Sequence, residues 1–214
     1  MKKGSKLEEF YQIKSLKIRL LRDRPVKKSG FFILSLHFAF ASVLIPGHIV
    51  KKIIFVRHAK SSWNSGVSRD IDRPLNQRGR RDAPIMAQKL KELCPNVDGI
   101  LLSPSKRTRE TATYFKKVYS LSEEQTLRIH ELYHGSLYDV LDAVHSLPED
   151  WSVAILFGHN PGMTYVAEYF GLKDVINVPT CGILLVESKS GDWASLNDAN
   201  SKIKTFEYPK KYNT

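Results

Sequence analysis

Cysteine is nearly absent from this sequence. The 214 residues hold two, Cys94 and Cys181, far apart and in neither a CxxC nor a metal-ligand spacing. A disulfide framework is therefore not expected, and the two read as buried thiols of a reducing compartment. The sequence also lacks an internal repeat, a zinc-finger pattern and an aromatic RNP-type strand, so nucleic acid is not an expected partner. Acidic residues are outnumbered, with 33 Lys and Arg against 22 Asp and Glu and a formal net charge of +11. The excess is uneven. Residues 1–50 carry ten basic and three acidic residues, +7, which leaves 23 against 19, +4, for residues 51–214. The high pI thus belongs mostly to the front of the chain, and the mildly basic remainder suits an acidic ligand or no ligand in particular.

With 42% hydrophobic residues, the chain has enough apolar material for a globular core. Its first fifty residues do not share the patterning of the rest. A lysine-rich stretch runs to residue 30, followed by "FFILSLHFAFASVLIPG", which sits at the lower edge of what spans a hydrocarbon core. Three readings stand side by side for this 1–49 extension. It is a start-site artefact, with Val50 as a GTG start codon read inside an over-extended frame; or a membrane or export segment; or a packed helix. "PGHIV" is a poor small-residue cleavage site. The expected domain is 50–214. A cytoplasmic location is expected unless the extension is a genuine anchor or export signal.

From residue 51 the pattern alternates. "KKIIFVRH", "DGILLSPS", "TLRIHELYHG" and "SVAILFGHNPG" read as strands, the first, second and fourth as buried apolar runs. Helical spacing marks "RGRRDAPIMAQKLKEL", with Ala83, Met86, Ala87 and Leu90 on one face and Pro84 placed near its start. "KRTRETATYFKKVY", "LYDVLDAVHSLP" and "MTYVAEYFG" are the further helices, and "CGILLVES" and "IKTFEYP" the late strands. Alternating strands and helices predict an α/β fold, a three-layer α/β/α sandwich with a largely parallel sheet. Ligands of such sheets sit beyond the carboxyl ends of the strands.

Three strand ends carry unusual residues: Arg57 and His58 in "FVRH", Ser103 and Arg107 in "LLSPSKR", and His159 in "LFGHNPG". Parallel strands would gather them at one sheet edge, where two arginines and two histidines without evident carboxylate partners would repel one another. A phosphate dianion removes that repulsion, and the planar guanidinium fork matches its oxygens. An imidazole among cations stays neutral and nucleophilic.

These segments resemble a known family. "VRHAKSSWN" is similar to the Arg-His motif of the histidine phosphatase superfamily, which includes the phosphoglycerate mutases, and Asn64 stands where that family has its asparagine. "DRPLNQRGRRDA" resembles the family's loop and first helix, "SPSKRTRETA" its second arginine motif and "GHNPG" its second histidine motif. The "DRPL…RG" and "GHNPG" versions look most like the SixA-type phosphohistidine phosphatases, and the resemblance covers about residues 50–210. It implies a phosphoglycerate mutase-like fold and an enzyme without cofactor or metal. His58 would attack phosphorus and become phosphohistidine. Arg57, Asn64, Arg107 and His159 would bind the phosphoryl oxygens, and water would then release phosphate.

The acid is less defined. "HELYHG" offers Glu131 with Gly135 four residues on, as in the mutases, and Glu131 reads as acid, loop-structuring or substrate-orienting. An imidazole leaving group needs little acid help, since it leaves from its protonated form. The expected activity is removal of phosphate from protein phosphohistidine. The alternatives are hydrolysis of small phosphate monoesters and a phosphate-binding module without turnover. Arg73 and Arg78 either add to the rim or are simply exposed, Ser103 hydrogen-bonds within its turn, and His134 is an ordinary histidine. The oligomeric state and the physiological substrate are not legible.

Overall fold

A computed structural model describes residues 50–63 and 66–212. The 1–49 extension and Asn64 lie outside the described residues.

Six strands form one sheet: β1 Lys51–Arg57, β2 Gly99–Leu102, β3 Thr126–Arg128, β4 Val153–Gly158, β5 Ile183–Ser188 and β6 Ser201–Glu207. Their spatial order is β3-β2-β4-β1-β5-β6. The first four run parallel, with Arg57 beside Gly158 and Leu102 beside Phe157. The two late strands join antiparallel, β5 on β1 and β6 on β5. The sheet is therefore mixed, and its parallel part brings the carboxyl ends of β1, β2 and β4 to one edge.

Among the described residues, four helices flank it: α1 Gln77–Leu93, α2 Lys106–Tyr119, α3 Leu137–His145 and α4 Gly162–Tyr169. Strand side chains alternate between faces, and each face meets its own pair of helices. Ile53, Phe55 and Leu156 pack with Val140 and Val144 of α3 and Met163 and Val166 of α4. Ile54, Val56, Ile155 and Phe157 pack with Ala83, Met86 and Leu90 of α1 and Phe115 of α2. Both faces are covered, which is why β1 and β4 read as continuous apolar runs rather than alternating ones. Cys94 and Cys181 are buried and free, and burial raises both thiol pKa values.

The expected helices are present, with one correction. Asn76 caps α1 by accepting from the Gly79 amide, so the helix begins at Gln77 and Pro84 is well inside it. Proline there forgoes the hydrogen bond to the carbonyl of Arg80. Its flanking residues Ala83, Met86 and Ala87 are buried, and their packing offsets that loss.

Gly79 is required by a close approach. A Cβ at this position would lie 2.1 Å from the Lys60 carbonyl oxygen. Asn76 donates its amide to that same carbonyl, and Ser62 donates to Pro74. The loop after β1 is thereby clamped to the start of α1.

Candidate active site

β1 delivers Arg57 and His58, the turn after β2 delivers Ser103, α2 delivers Arg107 and β4 delivers His159. Arg57, His58, Arg107 and His159 meet in one cleft of about 200 Å³, lined also by Lys60, Asp70, Arg73, His134 and Thr180, with Ser103 buried behind it. Four cations and one carboxylate thus face a space below the usual range for small-molecule sites, roughly 300 Å³ and upward.

His58 is nearly buried, and its Nδ1 lies 2.8 Å from the carbonyl oxygen of Ala59. A carbonyl only accepts, so Nδ1 carries the proton and Nε2 keeps the lone pair. Burial is the main force holding this imidazole neutral, reinforced by the charges of Arg107, Arg57 and Arg73. Together they outweigh the Ala59 bond and lower its pKa to about 3. His159 faces it with ring centroids 5.0 Å apart. Burial and then the neighbouring His58 and Arg107 lower its pKa to about 2.

His159 Nε2 meets Ser103 Oγ at 2.8 Å, and the fully buried Ser103 also accepts weakly from the Ser105 amide at 3.4 Å. Hydrogen bonding within its own turn is therefore the lesser part of what Ser103 does; it fixes the second histidine. Ser105 caps α2 by accepting from the Thr108 amide, and Arg107 sits in the first turn that follows.

Arg57 is tethered through Nη1 to Asn177 Oδ1 at 3.1 Å and to the Val178 carbonyl at 2.6 Å. Among the described residues, three buried side-chain polar atoms have no hydrogen-bond partner: Arg57 Nε, His159 Nδ1 and Asn160 Oδ1. All three belong to residues that line this cleft. Unpartnered buried groups cost free energy, and their concentration in one cleft marks a binding site.

The cationic rim is not without a carboxylate, contrary to the expectation from sequence. Asp70, on a 3-10 turn Asp70–Asp72, accepts from Arg107 Nη2 at 2.9 Å, from Arg73 Nη1 at 2.6 Å and from the Tyr133 hydroxyl at 2.8 Å. Its backbone carbonyl takes Arg107 Nη1 at 2.7 Å. Burial works against the Asp70 charge, but the hydrogen bonds from Tyr133 and Arg73 and the charge and hydrogen bond of Arg107 prevail. They hold its carboxyl far below the ordinary carboxylate range. The only sequence signal for it was the "DIDRPL" loop, where an aspartate precedes an arginine by three residues.

Arg73 is likewise no exposed rim residue. It is buried, donates to the Ser62 carbonyl and to Ser61 Oγ, and lies 3.3 Å from the ring centroid of Trp63. Arg78 is half exposed and donates to Thr180 Oγ1 at 3.2 Å.

The loop after β3 divides the remaining candidates. Glu131, on the 3-10 turn His130–Leu132, is exposed and outside the cleft lining. His134, three residues on, lines the cleft. It has a positive φ of 58°, unusual for a non-glycine residue, and its Nε2 is 3.7 Å from Asp70 Oδ2. Among the described residues, no group of three or more His, Cys, Asp and Glu side chains is arranged to hold a metal ion, and no helix is long and apolar enough to cross a membrane.

Comparison with known proteins places this arrangement in a family. The model of the histidine phosphatase superfamily (branch 1) matches residues 53–164. An uncharacterized chloroplastic protein of Arabidopsis thaliana is 32% identical over 154 residues, covering 68% of this chain and 70% of that one. Phosphoserine phosphatase 1 of Hydrogenobacter thermophilus is 36% identical over 105 residues, covering 47% and 48%. A solved structure of a Nakamurella multipartitia protein assigned as the phosphohistidine phosphatase SixA superposes with a TM-score of 0.64 at 24% identity, over 75% of this chain and 96% of that one. By motif, fold and sequence match, the chain belongs to branch 1 of the histidine phosphatase superfamily and is a histidine phosphatase.

Proposed function

We propose that the chain hydrolyses small phosphate monoesters through a phosphohistidine at His58. The observation that carries this is the pairing of one free imidazole nitrogen, His58 Nε2, with orphaned groups on Arg57 and His159 in the same small cleft. In the first step the Nε2 lone pair forms the P–N bond, the P–O bond to the leaving group breaks, and the departing oxygen takes a proton. Arg57, Arg107 and His159, with Asn64 assisting, hold the three non-bridging oxygens, where charge is stabilised most. In the second step water attacks phosphorus, the P–N bond breaks and the electron pair returns to the imidazole. Phosphate leaves and His58 is neutral again.

The ring of His159 contributes a donor. With the Ser103 hydroxyl, which accepts from the Ser105 amide, acting as donor to Nε2, the ring proton lies on Nδ1, the orphaned atom. An ester leaving group also needs a proton. His134, at the cleft wall beside Asp70, fills that place rather than Glu131, which stands outside it.

A sequence relative with a named activity, a phosphoserine phosphatase, supports a small ester. A second reading, protein phosphohistidine, is favoured by the fold likeness to the protein assigned as SixA and by the low acid demand of an imidazole leaving group. One experiment tests both. Initial rates are compared on O-phosphoserine, p-nitrophenyl phosphate and a phosphohistidine peptide, with acid-quench trapping of labelled enzyme. The expected result is acid-labile label on wild type, none on His58→Asn, and faster turnover of the ester than of the peptide. A much faster peptide rate selects the second reading. Undiminished turnover by His58→Asn defeats both.

A further inference from the structure

A second cleft, of about 250 Å³, abuts the first and shares Thr180 as a wall. It is basic, with Arg78, Arg81 and Lys210 around a single carboxylate, Asp82. Asp82 is buried and engaged: Arg81 Nη2 approaches it at 2.8 Å and Arg78 Nε at 3.9 Å. One carboxylate shared by two arginines leaves the lining with two uncompensated positive charges. The location aggravates this. Arg78 and Arg80 occupy the first turn of α1, which contains no acidic residue, so the cations add to the positive end of the helix rather than opposing it. Arg78 also donates to Thr180 Oγ1, on the wall between the two clefts.

A solvated face of lysines and arginines needs no such convergence. Arg81 and Arg78 come from α1, Lys210 from the C-terminal 3-10 turn Pro209–Lys211, and Thr180 from the loop before β5. Two separate segments place cations around one concavity, and a third closes it with Thr180, next to the site of phosphoryl transfer.

We propose that this second cleft holds a carboxylate carried by the substrate itself, so that the enzyme selects small phosphorylated acids over phosphoesters with an uncharged or cationic tail. The proposal rests on the phosphatase reading above and adds the substrate class. The phosphoryl group enters the first cleft, the chain of the substrate crosses Thr180, and the carboxylate meets Arg78 and Lys210. Charge-assisted hydrogen bonds of this kind should favour the acid by about tenfold to a hundredfold.

The test pairs ligands that differ only in the carboxylate. O-Phosphoserine and phosphoethanolamine are compared by kcat/KM. A homologous series of phosphonocarboxylates is compared with the matching alkylphosphonates by calorimetric Kd, which needs no turnover. Wild type should prefer the carboxylate partner in both, and Arg78→Gln/Lys210→Gln should bring both ratios close to one. Arg81 is kept, so the buried Asp82 retains a partner. Equal affinity for the two series, or a preference that survives the double substitution, overturns the inference. If no ester is turned over yet the phosphonocarboxylates bind tighter, the activity reading fails and this one stands. If both esters are turned over equally and the two phosphonate series bind alike, only this one fails.

Discussion

His58 and His159 face each other at 5.0 Å with their planes tilted by 55°, and each ring is fixed from behind by a different oxygen. The Ala59 carbonyl holds one and the Ser103 hydroxyl holds the other. The two histidines are chemically alike but differently wired. A carbonyl forces a proton onto Nδ1 of His58, which makes the far nitrogen a base. A hydroxyl can give or take a proton, and when it gives one to Nε2 the far nitrogen of His159 is a donor. In the proposed reaction the division between attacking ring and binding ring lies in these two backing contacts.

Removing the second contact should therefore weaken phosphoryl binding. In Ser103→Ala the His159 ring loses its 2.8 Å partner and keeps only Ser105 Oγ at 3.5 Å, so its tautomer is set far more weakly. We expect kcat/KM to fall by about tenfold or more, with the inhibition constant for inorganic phosphate rising by a similar factor. A change confined to thermal stability, with unchanged phosphate inhibition, would show that Ser103 supports the fold alone.

Both rings also tie stability to pH. In the unfolded chain each histidine ionises near 6.5, whereas in the folded chain the values are about 3 for His58 and about 2 for His159. As pH falls below about 6.5, the unfolded chain takes up protons that the folded chain refuses, so stability falls. The loss is of the order of 1 kcal/mol per pH unit for each ring, continuing down to about pH 3. Asp70 acts in the same direction but lower, since its contribution is lost only below the ordinary carboxylate value near 3.9. Urea unfolding between about pH 7 and pH 5 should show this slope. His58→Asn should reduce it and Asp70→Asn should leave it in place. Stability that does not change across that interval would contradict the neutral state of both rings.

In the proposed reaction Asp70 competes with the phosphoryl group for Arg107. Its carboxylate and its carbonyl occupy both terminal nitrogens of that guanidinium, and its other carboxylate oxygen holds Arg73. The carboxylate keeps the empty rim from self-repulsion, and an arriving dianion must share the arginines with it. In Asp70→Asn the rim is more positive, so product phosphate should bind about tenfold tighter and inhibit turnover more strongly. The melting temperature should drop by a few degrees as the Arg73–Asp70–Arg107 linkage loses its charge. Weaker phosphate inhibition in this variant would mean that the carboxylate serves the anion instead of competing with it.

Much of this was legible from the sequence because the signals were local. Apolar runs ending in Arg-His or Gly-His gave β1 and β4 with their tips, and the period of Ala83, Met86 and Leu90 gave the buried face of α1. Less legible were the partners brought together from distant segments. Asp70 lies 37 residues from Arg107 and 63 from Tyr133, and Ser103 lies 56 from His159, so no spacing rule links them. Pro84 misled because a proline normally marks a helix start, whereas here the Asn76 cap comes first and packing tolerates an interior proline. His134 carries no motif, and only its left-handed backbone and its place in the cleft wall single it out.

In the proposed reaction the same loop supplies the group that protonates the leaving oxygen. Glu131 and His134 are three residues apart, but only His134 lines the cleft. A proton donor matters in proportion to the basicity of what it protonates, so the alkoxide of phosphoserine depends on it far more than a nitrophenolate or an imidazole. We expect His134→Gln to slow O-phosphoserine by about a hundredfold while p-nitrophenyl phosphate and a phosphohistidine peptide lose only a fewfold. The dependence of rate on leaving-group pKa should steepen accordingly, and Glu131→Gln should leave it as in wild type. If the glutamate variant steepens the dependence and the histidine variant does not, the roles are reversed, and the loop must close on substrate binding to bring Glu131 inward.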